Sequence, residues 1–170
     1  MYYLNIYDSP LGPLLLYSDG KSLTDLWLEK RPHFPEEIRN RPVQQQDLPI
    51  FHDVRNWLDC YFSGDRPTPD ELPLKPEGTD FQLAVWHRLC QIPYGETTTY
   101  GTLARQFSPP GGRMSPQAIG GAVGRNPISI IIPCHRVVGA DGSLVGYGGG
   151  VNNKRWLLLH EGIAQPALIS

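Results

Sequence analysis

The sequence predicts two units of different class: an α/β unit over residues 1–78 and a mostly helical unit over residues 79–170 that carries a helix-turn-helix. Three observations lead there. The first thirty residues read as a meander of strand-like apolar runs. The stretch 63–80, SGDRPTPDELPLKPEGTD, holds four prolines and two glycines and reads as an extended connection. The charge changes sign across it: residues 1–80 carry 8 Lys+Arg against 14 Asp+Glu, residues 81–170 carry 7 against 3. An acidic unit followed by a basic one fits an anionic partner for the second unit, and fits short-range fluctuation equally well.

The 170 residues suffice for one large or two small domains with a real core. With 18 Gly and 17 Pro in a chain that is 40% hydrophobic, turns are expected rather than disorder. No run of 18 apolar residues suggests a membrane span, and MYYLNIYDSP lacks the basic-then-apolar pattern of a signal peptide. Three widely spaced cysteines, Cys60, Cys90 and Cys134, suit a reduced, cytoplasmic setting better than a disulfide framework.

Taken in order, YYLNIYD, LLLYS and LTDLWLE read as a strand meander, broken by SPLG and by the hairpin signal SDGK. Residues 31–49 are polar and Pro-rich, without a period. IFHDVRNWLDCYFSG is a helix with Ile50, Val54, Trp57, Leu58 and Tyr61 at helical spacing and Cys60 a packed thiol. In the second unit, Thr79 or Asp80 caps a helix with Phe81, Val85, Leu89 and Ile92 on its apolar face. ETTTYGTLARQF is a short helix with Leu103, Ala104 and Phe107 inward. SPPGGR is a turn, and Ser115 caps the next helix with Pro116 at its first position. That helix holds Ala118, Gly120, Gly121, Ala122 and Gly124. Glycine in a helix costs roughly 0.5–1 kcal/mol relative to Ala, so it asks for a reason: approach to a narrow groove, or tight helix packing. ISIII reads as a buried strand, VVGADGSLVGYGGG as two short strands and a Gly-rich loop, and KRWLLLHEG as a helix stopped by Gly162 with Leu157, Leu158 and Leu159 in the core.

The stretch IPCHRVV carries the chemistry. A thiol is a weak nucleophile until deprotonated, and an adjacent imidazole raises the thiolate fraction. Successive residues of an extended chain point to opposite sides. Cys134 and His135 therefore communicate through a water unless the chain bends. A carboxylate is the natural group to orient the imidazole. Of the three acids in the second unit, Glu96, Asp141 and Glu161, the last is the best candidate because it ends the final helix.

IPCHRV, preceded by GRNPISI and followed by GYGGG and WLLLHEG, resembles the O6-alkylguanine-DNA alkyltransferase family, the methylated-DNA–protein-cysteine methyltransferases. The likeness is close from about Thr79 to Gly162; before that it rests on layout and on SPLGPL. The resemblance implies a ribonuclease-H-like first domain and a winged helix-turn-helix that enters the minor groove of alkylated double-stranded DNA. It implies a flipped O6-alkylguanine whose alkyl group moves irreversibly to Cys134, once per protein molecule. His135 would act through water as base, Glu161 would hold His135, Tyr100 would donate to the departing base, and Asn126 would bridge the helix-turn-helix to the active-site strand. Backbone groups of Cys134, Val137, Tyr147 and Gly148 would read the base. Ser115, Gln117, Ala118, Gly121, Arg125 and Arg136 would face DNA, with phosphate contacts drawn from Arg113, Arg125, Lys154 and Arg155. No cofactor and no metal site is implied, since Cys60 is the only cysteine where some relatives hold zinc. A monomer is expected, with cooperative clustering on DNA and O4-alkylthymine as substrate left open.

Two departures stand out. Gln117 lies where relatives often carry the arginine that fills the gap left by the flipped base, which predicts weaker binding or slower flipping. Gly148 replaces a serine of some relatives, which predicts a roomier alkyl pocket. A lesion binder without chemistry, a transcription regulator and a cysteine hydrolase compete with this reading. The presence of Cys134, the lack of a further domain and the lack of any sign of an oxyanion hole argue against each in turn.

Overall fold

The computed structural model describes residues 1–144 and 147–163. The meander forms as expected. Strand β1 (Tyr2–Ser9) pairs antiparallel with β2 (Gly12–Ser18), and β2 with β3 (Leu23–Leu28). Gly12 and Gly20 take φ of +90° and +109° at the two tight turns, where a side chain would be strained. All six residues of β3 are buried, because its outer edge is covered twice. Leu23 bridges to Leu74 of the connecting segment, and Leu26 bridges to Ile128 of the second unit.

The segment 31–49 has more order than its composition suggests. It holds the one-turn helix α1 (Glu36–Arg39) and strand β4 (Val43–Gln45), which pairs parallel with β1 and gives sheet order β3-β2-β1-β4. Strand β4 is only three residues long and mostly exposed, too short for its alternation to register in sequence. Helix α2 (Pro49–Phe62) buries Ile50, Phe51, Val54, Trp57, Leu58 and Tyr61. Cys60 is exposed, not packed, because it falls on the opposite face of that helix.

In the second unit Thr79 caps α3 (Asp80–Leu89) in a reciprocal box with Gln82. Thr99 caps α4 (Tyr100–Phe107), and Ser115 caps α5 (Pro116–Gly124) through a 3.0 Å bond from the Ala118 N–H. Strands β5 (Thr98–Thr99) and β6 (Val137–Val138) pair parallel. Of the two short strands expected at 137–146, only β6 is present among the described residues: Ser143 and Leu144 lie outside any strand, and residues 145 and 146 lie outside the described residues. Helix α6 (Val151–His160) is the last element among the described residues. Its inward face is Lys154, Leu157, Leu158 and, at its end, Glu161, spaced by three and four residues. Leu159 therefore points outward at 47% exposure, contrary to the expected three-leucine core stripe.

One continuous apolar cluster runs from Leu14 and Phe51 of the first unit to Val123 and Leu157 of the second. Trp86 of α3 is fully buried within it, and its indole N–H donates to the Ala122 carbonyl at 2.8 Å, fixing α5 against α3. No helix of the described residues is long and apolar enough to cross a membrane. Trp86→Phe is expected to lose about 2–3 kcal/mol of stability, from one buried hydrogen bond and the void left by the smaller ring; urea unfolding of the variant measures it.

Candidate active site

The apolar run ISIII is not a strand. It is a series of tight turns: Ile131 N–H bonds the Ser129 carbonyl, Ile132 N–H that of Ile128, and Cys134 N–H that of Ile132, at 2.8, 3.1 and 2.8 Å. Ile130 has φ of +72°, a left-handed conformation that β-branched residues avoid at a cost of about 1–2 kcal/mol. Strain of this kind persists only where the surroundings over-determine the backbone. Here they do. Leu26 of β3 donates to the Pro127 carbonyl and accepts from Ser129. The Asn126 amide reaches the Ile132 carbonyl at 2.8 Å, the Ile128 carbonyl at 3.2 Å and the Cys134 sulfur at 3.1 Å, while its oxygen accepts from the Ile128 N–H at 3.0 Å. A strand would have used its polar groups in a ladder; Asn126 and β3 take that role instead.

Cys134, His135 and Arg136 form a single 3₁₀ turn, so the chain bends where strict alternation was expected. His135 is fully buried, and its Nε2 lies 2.6 Å from Glu161 Oε2. Four further donors converge on that carboxylate. Arg136 Nε and the Gly95 N–H reach Oε1 at 2.8 and 3.2 Å; Arg136 Nη2 and the Tyr61 hydroxyl reach Oε2 at 3.1 and 2.6 Å. Burial alone would push the Glu161 carboxyl up, but the His135 ring and the Arg136 guanidinium outweigh it and hold it well below the usual range. Burial pushes the His135 imidazole down, against the pull of Glu161. A neutral imidazole facing an ionised carboxylate carries its proton on Nε2. Its Nδ1 is then a bare lone pair, and that atom is buried with no hydrogen-bond partner among the described residues. The site thus holds a base without a proton, on the residue after a thiol.

Cys134 is 4% exposed, and burial pushes its thiol up, opposed by the Asn126 bond and by the charges of Lys154 and Arg31. Lys154, expected at phosphates, is wholly buried: it donates to the Val137 carbonyl, lies 5.7 Å over the Tyr100 ring, and is pushed down to about 8 by burial. Its position on the inward face of α6 explains the difference. Tyr100 opens α4, is buried, and is pushed up by that burial, so it keeps its proton.

The Gly-rich loop is built by close approach. A Cβ on Gly149 would meet the Tyr147 ring at 2.5 Å. A Cβ on Gly148 would meet Arg31 Nη2 at 2.8 Å and the Gly124 carbonyl at 3.1 Å. A side chain at position 148 would thus compete for space with Arg31, a first-unit guanidinium laid over Trp27 at 5.1 Å.

On α5, Ile119, Ala122 and Val123 face the core. Gln117, Ala118 and Arg125 are exposed, with Ser115 beside them and Gly121 half-buried on the same face. The outward surface thus combines the small residues Ser115, Ala118 and Gly121 with the long side chains of Gln117 and Arg125. Arg136 does not join it: it is 5% exposed and committed to Glu161 and to the Ile92 carbonyl at 2.7 Å. Tyr61 and Arg31 belong to the site without any local signal. One sits in an amphipathic helix pattern and the other in a polar segment, and only the fold brings them within reach of Cys134 and Glu161.

Glu161 has a depressed pKa, so its contribution to stability is complete above the ordinary value of 4.5 and is lost as the pH falls below it. His135, also depressed, loses its contribution as the pH falls below 6.5. Glu161→Gln is expected to cost about 3–5 kcal/mol at neutral pH, because Arg136 is left buried without its counter-charge, and to flatten the stability profile below about pH 4.5. Denaturant unfolding across pH tests both.

Two family models match the chain: 6-O-methylguanine DNA methyltransferase, ribonuclease-like domain, over residues 1–76, and 6-O-methylguanine DNA methyltransferase, DNA binding domain, over residues 80–163. A methylated-DNA–protein-cysteine methyltransferase of Haemophilus influenzae is 47% identical over 161 residues, covering 95% of this chain and 87% of that protein. A solved Mycobacterium tuberculosis O6-methylguanine methyltransferase aligns at 43% identity and TM-score 0.80, covering 98% and 96% of the two chains. An OGT of the same organism in complex with DNA aligns at 43% and 0.79, covering 98% and 95%.

Proposed function

The chain belongs to the 6-O-methylguanine DNA methyltransferase family, and on that premise we propose that it repairs alkylated duplex DNA by one irreversible transfer of an alkyl group from O6 of guanine to Cys134. The observation that carries the assignment of roles is the buried Nδ1 of His135, unpartnered among the described residues: burial keeps the ring neutral, and Glu161 accepts the Nε2 proton so that Nδ1 is the bare nitrogen.

The thiol proton passes to His135 Nδ1 through an intervening water. The sulfur lone pair attacks the alkyl carbon in line with its bond to O6. That bond breaks, its electron pair stays on the base, and a hydrogen bond donated by the protonated Tyr100 hydroxyl stabilises the charge on the departing guanine. The product is a thioether, which has no easy leaving group, so each molecule acts once. The buried imidazolium formed on the way is stabilised by the Glu161 carboxylate. Asn126 holds the sulfur in place. O6 is inaccessible within the base stack, and Cys134 is nearly closed to solvent, so the base has to be drawn out of the duplex and admitted past the loop of Tyr147 and Gly148. Backbone groups of Cys134, Val137, Tyr147 and Gly148 would read it there.

The helix-turn-helix of α4 and α5 would place the Ser115, Gln117, Ala118, Gly121 and Arg125 face in the minor groove, where small residues permit close approach. Exposed Arg113 and Arg125 would meet phosphates. We take residues 1–78 as a ribonuclease-H-like unit and 79–170 as a winged DNA-binding unit.

Intact-mass analysis after incubation with excess duplex carrying O6-methylguanine is expected to show one methyl group per protein, located on the Cys134 peptide and absent in Cys134→Ser. An unchanged mass with lesion binding retained would instead identify a damage sensor. Gln117→Arg adds a cation to the groove-facing surface and is expected to tighten duplex binding about tenfold at low salt, with a steeper salt dependence, as measured by fluorescence anisotropy.

A further inference from the structure

Tyr61 lies a hundred residues from Glu161 in sequence, at the end of α2 in the first unit, and is fully buried. Its hydroxyl donates to Glu161 Oε2 at 2.6 Å, the same oxygen that receives His135 Nε2. Its backbone carbonyl lies 2.7 Å from His160 Nε2, so α2 grips both residues at the end of α6. The ring stacks on Trp57 at 5.7 Å and meets Phe62, Tyr94 and His160 at 5.2, 5.9 and 5.1 Å. A phenylalanine would fill that aromatic cluster equally well. The hydroxyl is what packing does not require, and a buried hydroxyl is tolerated only with a partner.

We propose that Tyr61 is a positioning residue for the transfer, its hydroxyl orienting the Glu161 carboxylate against His135 so that the first unit completes the active site of the second. The inference rests on the roles given to His135 and Glu161 above. It follows from donor counting. An ionised carboxylate has about four lone-pair sites, and five donors compete for them here. Each extra donor drains negative charge from Oε2 and weakens its hold on a protonated imidazole. Tyr61 thereby sets both the angle of the carboxylate and how readily His135 releases the proton it has taken. The other groups facing this cluster are Arg136 and Cys134 on the 3₁₀ turn, Tyr94 and the Gly95 N–H after α3, Lys154 and His160 on α6, and Arg66 over the Tyr94 ring.

The test is the single-turnover transfer rate against pH, using the full chain and a duplex with O6-methylguanine. In Tyr61→Phe, Oε2 loses a donor and holds the imidazolium more strongly. The midpoint of the rise in rate with pH is expected to move up by about half a unit, and the plateau rate to fall about threefold. Site-specific 3-fluorotyrosine at position 61 keeps the shape of the side chain but donates more strongly, and is expected to move the midpoint down. Midpoints unmoved in both, with only the melting temperature of Tyr61→Phe lowered, would reduce Tyr61 to a packing residue and overturn the inference. Glu161→Gln separates the two levels: if it leaves rate and profile at wild type, the roles of His135 and Glu161 fail as well; if it slows transfer while the Tyr61 variants do nothing, only the inference fails.

Discussion

The buried carboxylate of Glu161 is the interaction on which the rest of the molecule depends. An ion in a protein interior is tolerable only when its lone pairs are satisfied and its charge is balanced. Glu161, at the end of α6, meets that condition by drawing donors from three places: the 3₁₀ turn of Cys134–Arg136, the chain after α3, and α2 of the first unit. Satisfying one charge thus fixes the relative position of elements that share no sequence neighbourhood. Arg136 shows the same constraint from the other side. Its charge is spent inside the fold, so it is unavailable to an external anion.

That arrangement also sets the chemistry. The protein does not keep its thiol ionised at rest, since burial raises it and nearby cations only partly offset the effect. It keeps a neutral base with an open lone pair next to the thiol, and a permanent carboxylate behind the base. A nucleophile closed to solvent, with its base held ready behind it, fits the single transfer proposed above. The strained turn at Ile130 and the Asn126 side chain carry the backbone to this point, and β3 anchors the strained segment through Leu26.

The two units are distinct in charge and composition, yet they are not independent machines. They share a continuous apolar core, β3 is edged by the second unit's loop, Arg31 fills the space at Gly148, and Tyr61 touches the carboxylate. The first unit is therefore part of the site's second layer of contacts rather than a passenger.

Much of this was legible in the chain. The meander, the faces of α2 and α3, the caps at Thr79 and Ser115, and the Cys134–His135–Glu161 set follow from local periodicity, capping chemistry and the scarcity of acids in the second unit. These are properties of neighbouring residues, and neighbours in sequence act through short-range sterics and hydrogen bonds that are much the same in any fold. What escaped was set by distant partners. The run ISIII has the composition of a strand but no free ladder to join, so it turns on itself. Lys154, Arg136 and Tyr61 have the composition of surface cations and a core aromatic, but a buried carboxylate, a carbonyl and a thiol decide where their polar atoms go. The sequence determined most of the helices, their caps and the first meander, and which side chains are candidates for the reaction. Only the tertiary structure decided which buried charges find each other, because the cost of desolvating an ion depends on every donor around it, and those donors come from opposite ends of the chain.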